Sequence, residues 1–183
     1  MPSSIRDHSC TSFSVRPFLA CILIAGACVQ TAQGAELSAL WGAYKGYHNA
    51  TLAYQTSPFW THDFSHSRLD LSLEASAGQV TAPSGTPDHS LWHAGLTPIM
   101  RWWLTPQSGM EFGIGANAFS GTYLGSKRIS TAYQFGDSIG AFHHFNHTPW
   151  TLGVRLTHYS NAEIKRPNPG QDYIQLRVSY GFL

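Results

Sequence analysis

Alternation with a period of two runs through most of this chain. From Arg68 to Ala77, Leu69, Leu71, Leu73, Ala75 and Ala77 share one face, and Arg68, Asp70, Ser72, Glu74 and Ser76 share the other. Met110, Phe112, Ile114, Ala116 and Ala118 oppose Glu111, Gly113, Gly115 and Asn117. Ile174, Leu176, Val178, Tyr180 and Phe182 oppose Gln175, Arg177 and Ser179. Such a pattern is the signature of half-buried strands, whose successive side chains point to opposite faces. The alternation predicts eight strands, near 36–46, 49–58, 67–77, 91–104, 109–120, 130–145, 149–160 and 172–182. The sixth is the least clean, because Asp137 interrupts either face. No segment after residue 34 carries a helical period.

Several of these strands exceed the usual five or six residues and match the roughly 9–11 of a tilted membrane strand. An even count suits a closed antiparallel barrel, which leaves no unpaired edge. The connections alternate as well. Thr105 to Ser108 and Asn146 to Thr148 are short, whereas Gln79 to Ser90, Gly121 to Ile129 and Asn161 to Gln171 are long and rich in Gly, Pro and Ser. Outer-membrane barrels pair short periplasmic turns with longer outer loops. With both termini in the periplasm, the three long loops fall outside. A soluble barrel of lipocalin type, apolar inside and polar outside, is the competing arrangement. The apolar faces, however, carry more Leu and Trp than the interior of eight strands easily holds. The expected fold is therefore all-β: an eight-stranded antiparallel transmembrane β-barrel.

Composition narrows the function classes. Only 11% of residues are charged and 13% are aromatic, unlike a disordered chain or a charged coiled coil. A formal net charge of +1 leaves no electrostatic footprint for nucleic acid. A mean hydropathy of -0.16 argues against a helical membrane protein. At the N-terminus, Arg6 and Arg16 flank an apolar run, Phe18 to Val29, of 12 residues. A bilayer span needs about 20. Ala32 and Gly34 offer small residues for cleavage, so residues 1–34 are expected to be a secretory signal and 35–183 the barrel domain. Cys10, Cys21 and Cys28 all lie in that signal, which leaves the remaining chain without thiol chemistry or disulfides.

The segment from Thr157 to Phe182 carries the chemistry. His158 and Ser160 stand at i and i+2 on a strand, on the apolar face of Leu152, Val154 and Leu156. After the loop, Asp172 opens the last strand in phase with Ile174 and Leu176. A hairpin therefore brings a hydroxyl, an imidazole and a carboxylate to one outer surface. Hydrolysis by serine needs an imidazole to take the hydroxyl proton and a carboxylate to orient that imidazole. Spacing alone leaves open that His158 and Ser160 merely mark where the strand leaves the hydrocarbon.

At these residues the chain resembles a known family. His158-Tyr159-Ser160-Asn161-Ala162, then Asn168-Pro169-Gly170, then an acid 14 residues after the histidine, resemble the PagL-type lipid A 3-O-deacylases. These are outer-membrane esterases of Gram-negative bacteria. The likeness extends less specifically over the barrel, including the stretch GIGANAFSG at 113–121. The resemblance implies an eight-stranded barrel, with Ser160 as nucleophile, His158 as general base and Asp172 as orienting acid. It also implies that Asn161 is needed for activity. Asn168 would help bind the oxyanion, with backbone N–H groups near Ala162 and Glu163 as co-donors. Asp172 departs from the Glu that stands at the acid position in one member of that family. Glu163 is the alternative acid.

The implied reaction is hydrolysis of the ester at the 3-position of lipid A, releasing a 3-hydroxy fatty acid and remodelling lipopolysaccharide. The implied location is the outer membrane, with the site near the outer leaflet. Lys165 and Arg166 are candidates for a lipid A phosphate, or are simply solvated loop charges. Expected partners are lipid A and outer-membrane lipids, with a homodimer admitted; no cofactor or metal is expected. His143, His144 and His147 resemble a metal cluster, but adjacent strand residues point apart and the group nears a short turn. His62, Asp63 and His66 are assigned to another turn. The second function class is a non-catalytic barrel, an anchor or adhesin.

Overall fold

The structure, a computed structural model, describes residues 34–182. The signal segment expected over 1–34 lies almost wholly outside the described residues.

Among the described residues eleven strands follow in chain order. They are β1 (Glu36–Tyr44), β2 (Tyr47–Gln55), β3 (Trp60–Asp63), β4 (Arg68–Thr81), β5 (Ser90–Trp103) and β6 (Ser108–Phe119). After these come β7 (Tyr123–Leu124), β8 (Lys127–Arg128), β9 (Tyr133–His144), β10 (Trp150–Ser160) and β11 (Gln171–Gly181). Eight of them form one sheet in the order β2-β1-β11-β10-β9-β6-β5-β4, and pairing of β2 with β4 closes it. Every neighbouring pair in the barrel is antiparallel. Closure satisfies the backbone groups that an open sheet would expose at its edges.

The three additional strands fall where the sequence reading had none. β4 runs past the end of β2, and β3 pairs with that overhang, Trp60 opposite Leu71 and His62 opposite Leu69. His62 and Asp63 therefore sit on a strand, not in the turn expected for them. Their pairing partner is set by the length of β4, which local pattern does not reveal. The second addition is the β7–β8 hairpin, inside the long loop between β6 and β9.

The barrel is polar within and apolar without. Arg155 and Arg177 are 5% and 1% exposed, whereas Val154 and Leu176 are 50% and 49% exposed. The soluble arrangement is thereby excluded, since it requires the opposite orientation. The interior charges are paired. Arg101 makes two hydrogen bonds to Glu36, at 2.6 and 2.9 Å, and Arg155 makes two to Glu74, at 2.7 and 2.9 Å. Glu111 accepts from Arg101, Arg155 and Arg177, tying four strands together. Forked guanidinium–carboxylate bonds satisfy charges that would be costly if buried alone.

Near the long loops the filling turns apolar. Val80, Leu91, Phe119, Tyr159 and Tyr173 pack with Leu124 and Ile129 of the β6–β9 loop. The β7–β8 hairpin thus folds inward over the barrel mouth, and its buried leucine holds it there.

Candidate active site

The site is built on the outer wall where β10 and β11 reach the long-loop end. His158 and Asp172 are directly opposite in the β10–β11 register. His158 Nδ1 lies 2.7 Å from Asp172 Oδ1, with the side chains 46% and 57% exposed. Both point away from the polar interior, as period-two geometry requires for residues in phase with Leu156 and Ile174. Ser160 stands two residues beyond His158 on the same face, opposite Phe135 of β9. Among the described residues, its hydroxyl makes no hydrogen bond to the imidazole. In enzymes without substrate such contacts are often long and tighten on binding.

The loop from 161 to 170 connects these strands and is held firmly. Asn161 is fully buried, and its side-chain amide donates to the carbonyls of Ile129, at 3.2 Å, and Lys165, at 2.8 Å. Its backbone N–H donates to Asn168 Oδ1 at 3.1 Å. Asn161 thus pins the loop from inside, facing away from Ser160. Ala162 and Glu163 take positive φ values of 50° and 62°. Among the described residues their N–H groups find no acceptor, so two donors stand free two and three residues after Ser160. Asn168 Nδ2 lies 3.5 Å from Glu163 Oε1, a long contact that leaves it available to a better acceptor.

The alternative acid is engaged elsewhere. Glu163 Oε2 accepts from Arg166 Nε at 2.7 Å on the exposed loop, and no contact joins Glu163 to His158. Asp172 is the carboxylate that meets the imidazole. Lys165 is exposed and offers only its backbone carbonyl to a protein partner. Among the described residues no set of three metal-binding side chains converges. His143 and His144 instead bond Ser108 and Thr151, on opposite faces of β9.

Three contributors were given no role of their own by the sequence reading. Gly170, at φ +64°, lies close to the imidazole, and a Cβ there would come within 2.7 Å of His158 Cε1. Lys127, from the β7–β8 hairpin, donates to the Gly170 carbonyl at 3.3 Å and sits 4.3 Å from the centre of the Tyr47 ring. Partial burial pulls its amine below the ordinary lysine range, a shift that the charge of Asp172 opposes. Ser130 donates to the Pro167 carbonyl at 2.7 Å. With the Asn161–Ile129 bond, these contacts tie the mouth-covering loop to the loop that carries the site. Only Gly170 had a sequence signal, in Asn-Pro-Gly. Lys127 and Ser130 are joined to the site by tertiary contact alone.

The chain is similar to known proteins over most of its length. The family model described as lipid A 3-O-deacylase (PagL) matches residues 33–181. A lipid A deacylase PagL of Bordetella bronchiseptica is 39% identical over 174 residues, covering 91% of this chain and 96% of the relative. The lipid A deacylase PagL of Pseudomonas aeruginosa is 32% identical over 157 residues, covering 78% and 83%. The crystal structure of the outer membrane enzyme PagL superposes with a TM-score of 0.71 at 26% identity, covering 80% of this chain and 99% of that one. The Yersinia pestis outer membrane protein Ail shares the fold alone, with a TM-score of 0.50 at 12% identity over 82% of this chain and 99% of its own.

Proposed function

The chain belongs to the PagL family of lipid A 3-O-deacylases, and from that premise we propose that Ser160, His158 and Asp172 form its catalytic triad. The protein is an outer-membrane ester hydrolase that removes the acyl chain from the 3-position of lipid A and releases a 3-hydroxy fatty acid. The observation that carries the triad is the His158–Asp172 bond of 2.7 Å on a lipid-facing wall, with Ser160 two residues along the same strand as the histidine. Polar groups in such a wall are costly, and this pair has no partner in the interior network.

The steps follow from the placement. Asp172 accepts the Nδ1 proton of His158, which leaves Nε2 free to act as base. His158 takes the Ser160 proton as Oγ attacks the ester carbonyl carbon. The oxygen that becomes negative is stabilised by Asn168 Nδ2 and by the free N–H groups of Ala162 and Glu163. On collapse the carbon–oxygen bond to the sugar breaks, and His158 returns the proton to the sugar 3-oxygen. Water then attacks the acyl-serine with His158 again as base, freeing the 3-hydroxy acid and restoring Ser160. Asn161 acts through the loop it pins, without touching the ester. Lys165 is the better phosphate contact of the two loop cations, since Arg166 must first give up Glu163.

Lipid A lies in the outer leaflet, and the site opens sideways at the outer end of the barrel. Substrate therefore arrives by lateral diffusion, with no need for an internal pocket. A non-catalytic anchor gives the paired histidine and aspartate no use. Ser160→Ala is the direct test: lipid A from cells expressing it should keep its 3-O-acyl chain by mass spectrometry, while the barrel still folds and shows heat-modifiable migration. Near-normal deacylation by that variant would remove Ser160 from the mechanism.

A further inference from the structure

One carbonyl at the barrel mouth collects three N–H donors. The Ile129 oxygen accepts from the Thr131 backbone N–H at 2.8 Å, from Asn161 Nδ2 at 3.2 Å and from Gln134 Nε2 at 3.2 Å. Asn161 belongs to the loop that carries the site, whereas Thr131 precedes β9 and Gln134 stands on it. Ile129 is buried, and the next residue, Ser130, turns at a φ of +66°. Side chains disfavour that region, and a residue persists there only where its surroundings hold it. Gln134 supplies part of that hold. Its amide also reaches the Thr131 carbonyl at 2.8 Å and Thr131 Oγ1 at 3.1 Å. Gln134 is 1% exposed and points into the barrel, while its neighbour Phe135 is the register partner of Ser160. One step further along that register, Asn161 falls beside Gln134.

The consequence runs outward to the reacting oxygen. The Asn161 side chain is committed to the Ile129 and Lys165 carbonyls, which fixes its backbone, and its N–H donates to Asn168 Oδ1 at 3.1 Å. An amide that accepts through its oxygen presents its NH2 group on the other side. The aim of Asn168 Nδ2 therefore depends on where Asn161 is held. Asn161 also immediately precedes Ala162 and Glu163, whose N–H groups are the other two oxyanion donors. Such donors lower a barrier because they are fixed before the charge develops, so a shift of this loop acts on rate more than on substrate binding. Gln134 touches neither ester nor triad, yet this chain of bonds starts from it on the rigid barrel.

We propose that Gln134 is a positioning residue for the oxyanion donors: it fixes the Ile129 carbonyl, which holds Asn161, which in turn aims Asn168 and the two loop N–H groups. The inference rests on the reading of Asn168 as an oxyanion donor.

The test uses the full-length protein refolded in detergent micelles, with lipid A as substrate and two inhibitors. One is a phosphonate monoester, whose charged tetrahedral phosphorus mimics the intermediate; the other is an unreactive ether analogue of the substrate. Gln134→Leu keeps the volume and removes the donor, and Gln134→Met takes its place if the first variant lacks heat-modifiable migration. The kcat should fall about tenfold, the scale of one hydrogen bond, with KM unchanged. Inhibition by the phosphonate should weaken in the same proportion, and inhibition by the ether should not move. Gln134→Glu, which keeps the shape but has no N–H to give, should fall at least as far. In an Asn168→Ala background Gln134→Leu should cost clearly less than in wild type, since one of the donors it aims is already gone. A kcat near wild type overturns the proposal. So do penalties that multiply in full, or a weakening of both inhibitors alike, which makes Gln134 a support for the fold only. Asn168→Ala by itself keeps the two readings apart. Full activity there refutes the oxyanion donor, whereas a loss there beside an unimpaired Gln134→Leu refutes only the role of Gln134.

Discussion

Gly170 lies against the ring of His158 so closely that a Cβ would come within 2.7 Å of Cε1, and its φ of +64° is one that side chains disfavour. Two independent reasons thus require glycine there, one steric and one conformational. Gly170→Ala should displace the imidazole and lower turnover by roughly a hundredfold, the scale of a 1 Å misplacement. Heat-modifiable migration should survive, since the change is confined to an external loop. An alanine variant as active as wild type would mean that His158 does not react from this position.

The acid assignment separates two carboxylates. Asp172→Asn should reduce turnover by about 10³–10⁴, because the imidazole loses the partner that fixes its tautomer and stabilises its developing charge. Glu163→Gln should be mild, since Glu163 meets only Arg166 and Asn168. Asp172→Glu should retain substantial activity. A crippling Glu163→Gln beside a harmless Asp172→Asn reverses the roles.

Lys127 tests the link between the mouth-covering loop and the site. Lys127→Met removes the bond to the Gly170 carbonyl and should lower kcat several-fold with little change in KM. Lys127→Arg should recover most of the loss, because a guanidinium can still donate to that carbonyl. A rise in KM alone would place Lys127 on the substrate instead. Ser130→Ala, which cuts the neighbouring tie to Pro167, should act in the same direction.

The orientation of the wall has a stability consequence. Val154 faces lipid near the middle of β10, where an arginine costs about 2–4 kcal/mol. Val154→Arg should therefore lower folding yield into bilayers and the unfolding midpoint in denaturant. Arg155→Met, one residue away, should also destabilise, by about 3–5 kcal/mol, because Glu74 and Glu111 stay buried with a partner missing. The two costs have opposite origins: the first adds a charge to lipid, and the second removes one from a balanced interior.

The barrel was legible in the sequence because its determinants are local. Strand periodicity needs only the side chains of one strand, and that sufficed for the eight barrel strands, for the parity of the long loops, and for the shared face of His158, Ser160 and Asp172. Which face met lipid was argued from bulk and charge, and the exposed Val154 beside the buried Arg155 bears it out. The tertiary structure decided whatever depends on pairing between distant strands. The β3 strand exists because β4 overruns β2, and the β7–β8 hairpin because Leu124 and Ile129 find an apolar mouth to fill. Registers across β9, β10 and β11 set Asp172 and Asp137 on either side of His158. Lys127 and Ser130 reach the site across loops that share no sequence signal with it. A period is a property of consecutive residues, whereas a register is set by closure of the whole sheet.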